Sequence, residues 1–120
     1  MIYGDMLTAR AHLFRALGDR IRLEILEHLR EESPLTVSQI CERLGREQNL
    51  ISHHLSCLKN CGLVNSEKNG KNVHYSIKSK KILKITDLAD EHVRGILEAV
   101  LSCAVVKDVK RTKPKTGEDL

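Results

Sequence analysis

The chain has 120 residues, a net charge of +4 and only three aromatic residues, Tyr3, Phe14 and Tyr75. That size fits one small core, and with so few aromatics the core must be built from Leu, Ile, Val and Ala, which favours helices. No apolar run approaches the roughly 18 residues of a bilayer span, and the N-terminal MIYGDMLTAR lacks an apolar leader stretch, so a cytoplasmic protein with no membrane partner is expected.

Residues 5–17 place Leu7, Phe14 and Leu17 near one face of a predicted helix, with Ala11 between them. Gly18-Asp19 interrupts it. Asp19 is a predicted N-cap for a second helix, IRLEILEHLR, in which Ile21, Ile25 and Leu29 recur at spacing four. That helix should stop before Ser33-Pro34, because proline disfavours helical geometry in the residue before it. Thr36 and Gln39 form the T-x-x-Q of a capping box, opening a short helix with Val37, Ile40, Cys41 and Leu44 on one face. Gly45 is its expected stop. A further helix is predicted from about Asn49 to Asn60, with Gly62 ending it. Two short helices joined by so tight a turn describe a helix-turn-helix, whose second member enters the DNA major groove. Asn69-Gly70 then marks a hairpin, with Val73, Tyr75 and Ile77 alternating on the return strand. A hairpin in this place is a wing, with Lys68 and Lys71 at its tip. A final helix is predicted from about Ser79 to Ser102. Its broad stripe (Ile82, Ile85, Leu88, Ala89, His92, Val93, Ile96, Leu97, Val100, Leu101) exceeds what the preceding elements can cover, so a second subunit is its expected cover. The predicted architecture is mainly α with a small β-hairpin, a winged helix-turn-helix over residues 1–106 dimerising through terminal helices. KDVKRTKPKTGEDL, residues 107–120, reads as a flexible basic tail.

The stretch ISHHLSCLKNCGLV, residues 51–64, holds two of the four cysteines. At about 100° per residue, Ile51, Leu55 and Leu58 form the core face and Asn49, Ser52, His53, Ser56 and Asn60 lie opposite. Short polar groups there suit base edges and phosphates. The expected DNA-contacting set is Arg46, Gln48, Asn49, Ser52, His53, Ser56 and Lys59, joined by Lys68 and Lys71 of the wing. Cys57 and Cys61 lie together on a flank, belonging to neither face. One small half-buried cysteine is ordinary packing; a pair at i and i+4 is a candidate soft-metal or redox site. Two thiolates do not complete a metal site, and the remaining thiols are Cys41 and Cys103. Cys41 sits on an apolar helix face and reads as packing, whereas Cys103 ends the final helix and can reach across a dimer. Three thiolates favour Cd(II), Pb(II), Zn(II) or As(III) over hard cations.

RALGDRIRLEIL, SQICERLG, LISHHLSCLKNCGLV and EKNGKNVHYSI together resemble the ArsR/SmtB family of winged-helix metal-sensing repressors, over about residues 7–103. The family run S-x-H-L-x-x-L-x-x-x-G-L-V is matched by Ser52, His54, Leu55, Leu58, Gly62, Leu63 and Val64. The cysteine pair is most similar to the CmtR-type cadmium/lead sensors. That resemblance implies metal ligands at Cys57 and Cys61, with Cys103 of the other subunit as the third. A family site with two cysteines in the preceding helix is missing, since Thr36 and Ser38 stand there. A second family site, of the form D-x-H followed by a distant pair, is half-matched by Asp90 and His92; Cys103 and Val106 break its second half. His54 matches the family's helix histidine and reads as structural, and His74 as a solvated wing residue.

The resemblance implies a homodimer bound to operator double-stranded DNA and released when a thiophilic metal binds the thiolates. Two alternatives stay open: a thiol redox-responsive DNA-binding regulator, and a winged-helix module that binds a partner without sensing metal. An enzyme is not expected, because no nucleophile–base pairing, glycine-rich phosphate loop or HExxH is present.

Overall fold

The computed structural model describes residues 4–101. Their elements run α1 (Met6–Leu17), α2 (Arg20–Glu31), β1 (Leu35–Thr36), α3 (Val37–Leu44), α4 (Gln48–Asn60), β2 (Val64–Asn69), β3 (Asn72–Ile77) and α5 (Lys80–Leu101). The chain divides into two compact units, one reaching Ile82 and the other beginning at Leu83, so α5 starts in the first and passes into the second.

In the first unit each helix boundary has a local chemical cause. Asp5 accepts from the Thr8 N–H at 2.7 Å and Asp19 from the Arg22 N–H at 3.0 Å, so α1 and α2 both start on carboxylate caps. Thr36 and Gln39 form the reciprocal capping box at the start of α3. Gly45, at φ 66°, ends α3 in the left-handed region that glycine enters without strain. α4 ends in a Schellman motif: the Leu63 N–H donates to Leu58 O at 2.8 Å and the Gly62 N–H to Lys59 O at 3.0 Å, with Gly62 at φ 78°. Leu58 and Leu63, the apolar pair that accompanies this motif, are both fully buried.

The core of this unit is Ile25, Leu26 and Leu29 of α2, Leu35 of β1, Ile40 of α3, Ile51, Leu55 and Leu58 of α4, then Leu63 and Val64 entering the wing. The predicted core face of α4 is therefore the observed one. In α1 only Ala16 and Leu17 are buried; Leu7 and Phe14, grouped with Leu17 by periodicity, are exposed. The periodicity identified the helix but not what covers its N-terminal turns.

The wing is larger than a hairpin. β1 pairs antiparallel with β3 (Leu35 opposite Tyr75, Thr36 opposite His74), giving the strand order β1-β3-β2. A two-residue strand carries too little alternation to be seen in sequence. His74 consequently lies half-buried on a central strand, between Thr36 and Glu67, rather than solvated. Asn69 pairs with Asn72, so the loop is Gly70-Lys71. Only Gly70 takes positive φ, 69°, so the turn follows the pattern with glycine at the first central position and Asn69 remains strand.

In the second unit, α5 exposes Leu88, Val93 and Ile96. Among the described residues no helix is long and apolar enough to cross a membrane.

Candidate functional site

α3 and α4 are joined by Gly45-Arg46-Glu47, and the burial of Ile51, Leu55 and Leu58 fixes which side of α4 faces outward. Gln48, Asn49, His53, Ser56 and Lys59 are exposed on α4, Ser52 is half-buried, and Arg46 is exposed just ahead of it. Lys68 and Lys71 are exposed at the wing tip. α1, α2 and α3 have side-chain caps, whereas Glu47 makes no cap bond to α4. The first-turn N–H groups of α4 thus lack a side-chain acceptor at the end nearest Arg46, Gln48 and Asn49. Every member of the predicted DNA-contacting set is at least partly accessible on α4, on its approach or on the wing.

The two thiols of α4 differ. Cys57 is half-buried; Cys61, the C-cap residue, is exposed, and its N–H donates to Cys57 O at 3.1 Å. The Cys57 sulfur is engaged by a residue that sequence reasoning did not select. Arg22 of α2 donates from Nη1 to Cys57 Sγ at 2.9 Å, and from Nη2 to the Arg15 carbonyl in the last turn of α1 at 3.5 Å. A cation suits that end of a helix, where carbonyls lack helical partners. Its Nε is buried with no hydrogen-bond partner. One guanidinium thus bridges α1 and α4 from a base in α2. The signal for it was present in the sequence: Arg22, Ile25, Leu26 and Leu29 stand at i, i+3, i+4 and i+7, so Arg22 occupies the apolar stripe of α2.

His54 is buried beside this bridge, its Nδ1 4.0 Å from Asp19 Oδ1. Burial pushes the imidazole below its ordinary pKa; Asp19 opposes that shift, and Arg22 and His53 add to it. For Asp19, burial alone would raise the carboxyl, but the Arg22 N–H, His54 and the Arg22 guanidinium outweigh it and hold it below the usual range. His53 and His54 meet edge to face, with ring centroids 5.6 Å apart, His53 outward and His54 inward. Cys41 is half-buried on α3, and burial raises its thiol pKa, as suits a packing residue.

The donor set fits a thiophilic ion in part. Side chains one turn apart on a helix have Cβ atoms about 5–6 Å apart. Two sulfurs on one tetrahedral ion, with bonds near 2.3 Å, stand about 3.8 Å apart, within reach of that spacing. Among the described residues, however, no group of three His, Cys, Asp or Glu side chains is assembled to hold a metal. Cys103 lies outside the described residues, as does the 107–120 tail. Asp90 and His92 are both exposed on α5, two residues apart, and Cys103, the third member of that candidate set, lies outside the described residues.

A short sheet carrying basic residues, set after a tight helix pair whose second member presents a polar face, defines a winged helix-turn-helix DNA-binding protein. The family described as bacterial regulatory protein, arsR family, matches residues 19–66. The chain is 40% identical over 81 residues, 68% of its length, to the uncharacterized HTH-type transcriptional regulator MJ1325 of Methanocaldococcus jannaschii, 91% of which is covered. It is 41% identical over 75 residues to the cadmium resistance transcriptional regulatory protein CadC of Listeria innocua, covering 62% of this chain and 63% of that protein. Among solved structures, the homodimeric winged helix-turn-helix DNA-binding domain Mb0332 of Mycobacterium bovis superposes with a TM-score of 0.66 at 26% identity, over 78% of this chain and 94% of that one. The protein belongs to the arsR family of bacterial regulatory proteins, and is a DNA-binding transcriptional regulator rather than an enzyme.

Proposed function

We propose that the protein is a homodimeric repressor whose two α4 helices occupy successive major grooves of an operator, and whose affinity for that DNA falls when a thiophilic cation is held by Cys57, Cys61 and the partner subunit's Cys103. The observation that carries this reading is that two thiols, one turn apart, ride on the same helix as the outward polar set. Gln48, Asn49, Ser52, His53 and Ser56 offer hydrogen bonds to base edges and phosphates, while Arg46, Lys59, Lys68 and Lys71 supply positive charge for the backbone. Exposed Leu88, Val93 and Ile96 on α5 supply apolar surface of the kind a second subunit covers. The homodimeric state of the Mb0332 domain and the cadmium resistance role of CadC agree with this reading.

Bound to the cysteines, Cd(II), Pb(II), Zn(II) or As(III) would contribute strong bonds to sulfur and displace the thiol protons. Turning Cys57 and Cys61 toward a shared centre changes the contacts of the last turn of α4. A coupling of about 3 kcal/mol between the two sites would weaken operator binding roughly 150-fold.

The spacing of the thiols favours an ion over a disulfide. A disulfide needs Cβ atoms about 3.5–4.5 Å apart, closer than a regular helical turn provides, so oxidising Cys57 to Cys61 would require unwinding the end of α4.

The test is an anisotropy titration on a duplex selected from random sequence with the metal-free protein. Added Cd(II), Pb(II), Zn(II) or arsenite should release the protein, and the double variant Cys57→Ala/Cys61→Ala should stay bound. If none of the four displaces the wild type, metal sensing is wrong; if hydrogen peroxide alone does, the redox reading takes its place.

A further inference from the structure

We infer that Arg22 is the latch that couples the thiol pair to the DNA-reading helix: its guanidinium holds Cys57 in the DNA-binding arrangement and competes with a metal ion for that sulfur. This rests on the reading proposed above and adds to it a residue that is neither a metal ligand nor a DNA contact.

Three observations support it. Arg22 is anchored at its base, because its own N–H is bound by the Asp19 cap at 3.0 Å. Its guanidinium joins two other helices, reaching Cys57 Sγ on α4 at 2.9 Å and the Arg15 carbonyl at the end of α1 at 3.5 Å. The buried, unpartnered Nε shows that this charge is not simply resting in water. Cys57 is therefore a junction: the half-buried thiol of α4 is also the one gripped from α2.

Cys57 has two competing uses. Its sulfur accepts from Arg22 of α2 in this structure, whereas sharing an ion with Cys61 commits the same lone pairs to metal beside an exposed residue. A divalent ion on that sulfur would also stand within a few ångströms of the guanidinium, where like charges repel. Cys57 thus leaves Arg22 when it ligates, and α4 loses a tie to the rest of the unit near the turn that carries Ser56 and Lys59. A hydrogen bond to a charged group shifts an equilibrium by roughly tenfold to a hundredfold. By linkage, whatever Arg22 contributes to the DNA-competent state it must subtract from metal affinity.

The experiment compares wild type with Arg22→Gln, using Cd(II) as the metal and the selected duplex as DNA. Stoichiometry comes from thiolate-to-metal absorbance, Cd(II) affinity from chelator competition, and operator affinity from anisotropy with and without the ion. The latch predicts that Arg22→Gln binds Cd(II) roughly tenfold or more tightly, binds metal-free operator correspondingly less well, and shows a ratio of metal-free to metal-loaded operator affinity shrunken by a similar factor. Circular dichroism establishes that the variant is folded. If it is not, Arg22→Lys takes its place, since an ammonium lacks the planar fork with which Nη1 and Nη2 address Cys57 Sγ and Arg15 O separately. A folded variant that keeps the wild-type ratio while the wild type responds normally overturns the latch and leaves metal sensing intact. A wild type that binds no Cd(II) overturns both.

Discussion

His54 Nδ1 sits 4.0 Å from the Asp19 carboxylate that caps α2, in a site where burial holds the imidazole below its ordinary 6.5. Burial thus outweighs the attraction of the nearby carboxylate. In the unfolded chain His54 protonates near pH 6.5, while in the folded protein it does so only at lower pH. Between those values the unfolded state binds more protons, so stability is fully present above about pH 6.5 and is lost as pH falls through the folded value. Urea midpoints measured at pH 7.5 and 5.5 should differ in that direction. His54→Gln, which has no proton to gain, should flatten the difference; an unchanged slope in this variant would show that another group carries it.

The cysteine pair has its own pH signature. Thiolate ligands must shed protons to bind, so Cd(II) affinity should fall steadily as pH is lowered, with protons released on titration. Replacing either Cys57 or Cys61 by alanine should weaken Cd(II) binding by more than about tenfold, since even groups that merely support ligands commonly matter that much. Competition with a chelator, run on each variant, measures both effects.

The wing lysines are expected to act through phosphate. Removing one lysine–phosphate pair should reduce the slope of log K against log salt concentration by about 0.9. Lys68→Ala and Lys71→Ala should therefore lower operator affinity with little change in preferred sequence. His53→Ala and Asn49→Ala, on the polar face of α4, should instead alter which bases are preferred. A binding-site selection repeated with each variant separates the two classes.

Leu55 is completely buried where α4 meets the core. Leu55→Ala should destabilise the fold by about 2–5 kcal/mol through reduced burial and a residual cavity. Chemical denaturation of the metal-free protein reads this directly. Exposed Leu88, of similar size, should give a much smaller change in a dilute monomer.

Much of this architecture could be read from the chain because local rules agreed with one another. Asp19 caps α2, Thr36 and Gln39 box α3, Gly45 and Gly62 stop the two central helices, and Ile51, Leu55 and Leu58 point inward. What escaped was long-range. Leu35–Thr36 is a strand only because β3 lies beside it, and His74 is half-buried for the same reason. Phe14 and Leu7 share a helical face with Leu17 without sharing its burial. The outward set on α4 follows from helical angle alone. The Arg22–Cys57 bond does not, because those residues are 35 apart in the chain and periodicity is silent on which side chains meet across helices.

Thr36 belongs to two structures at once. It is paired with His74 in the sheet, and its hydroxyl opens α3 through the capping box. The wing's base is therefore bolted to the first member of the helix pair by a single residue, leaving little freedom for one to pivot without the other. A duplex meeting such a body must offer groove and flanking backbone at one set separation, and where its helical repeat does not, the duplex must bend. Stiffness in the base pairs between those two landing points should thus weigh on operator choice even where no side chain reaches them.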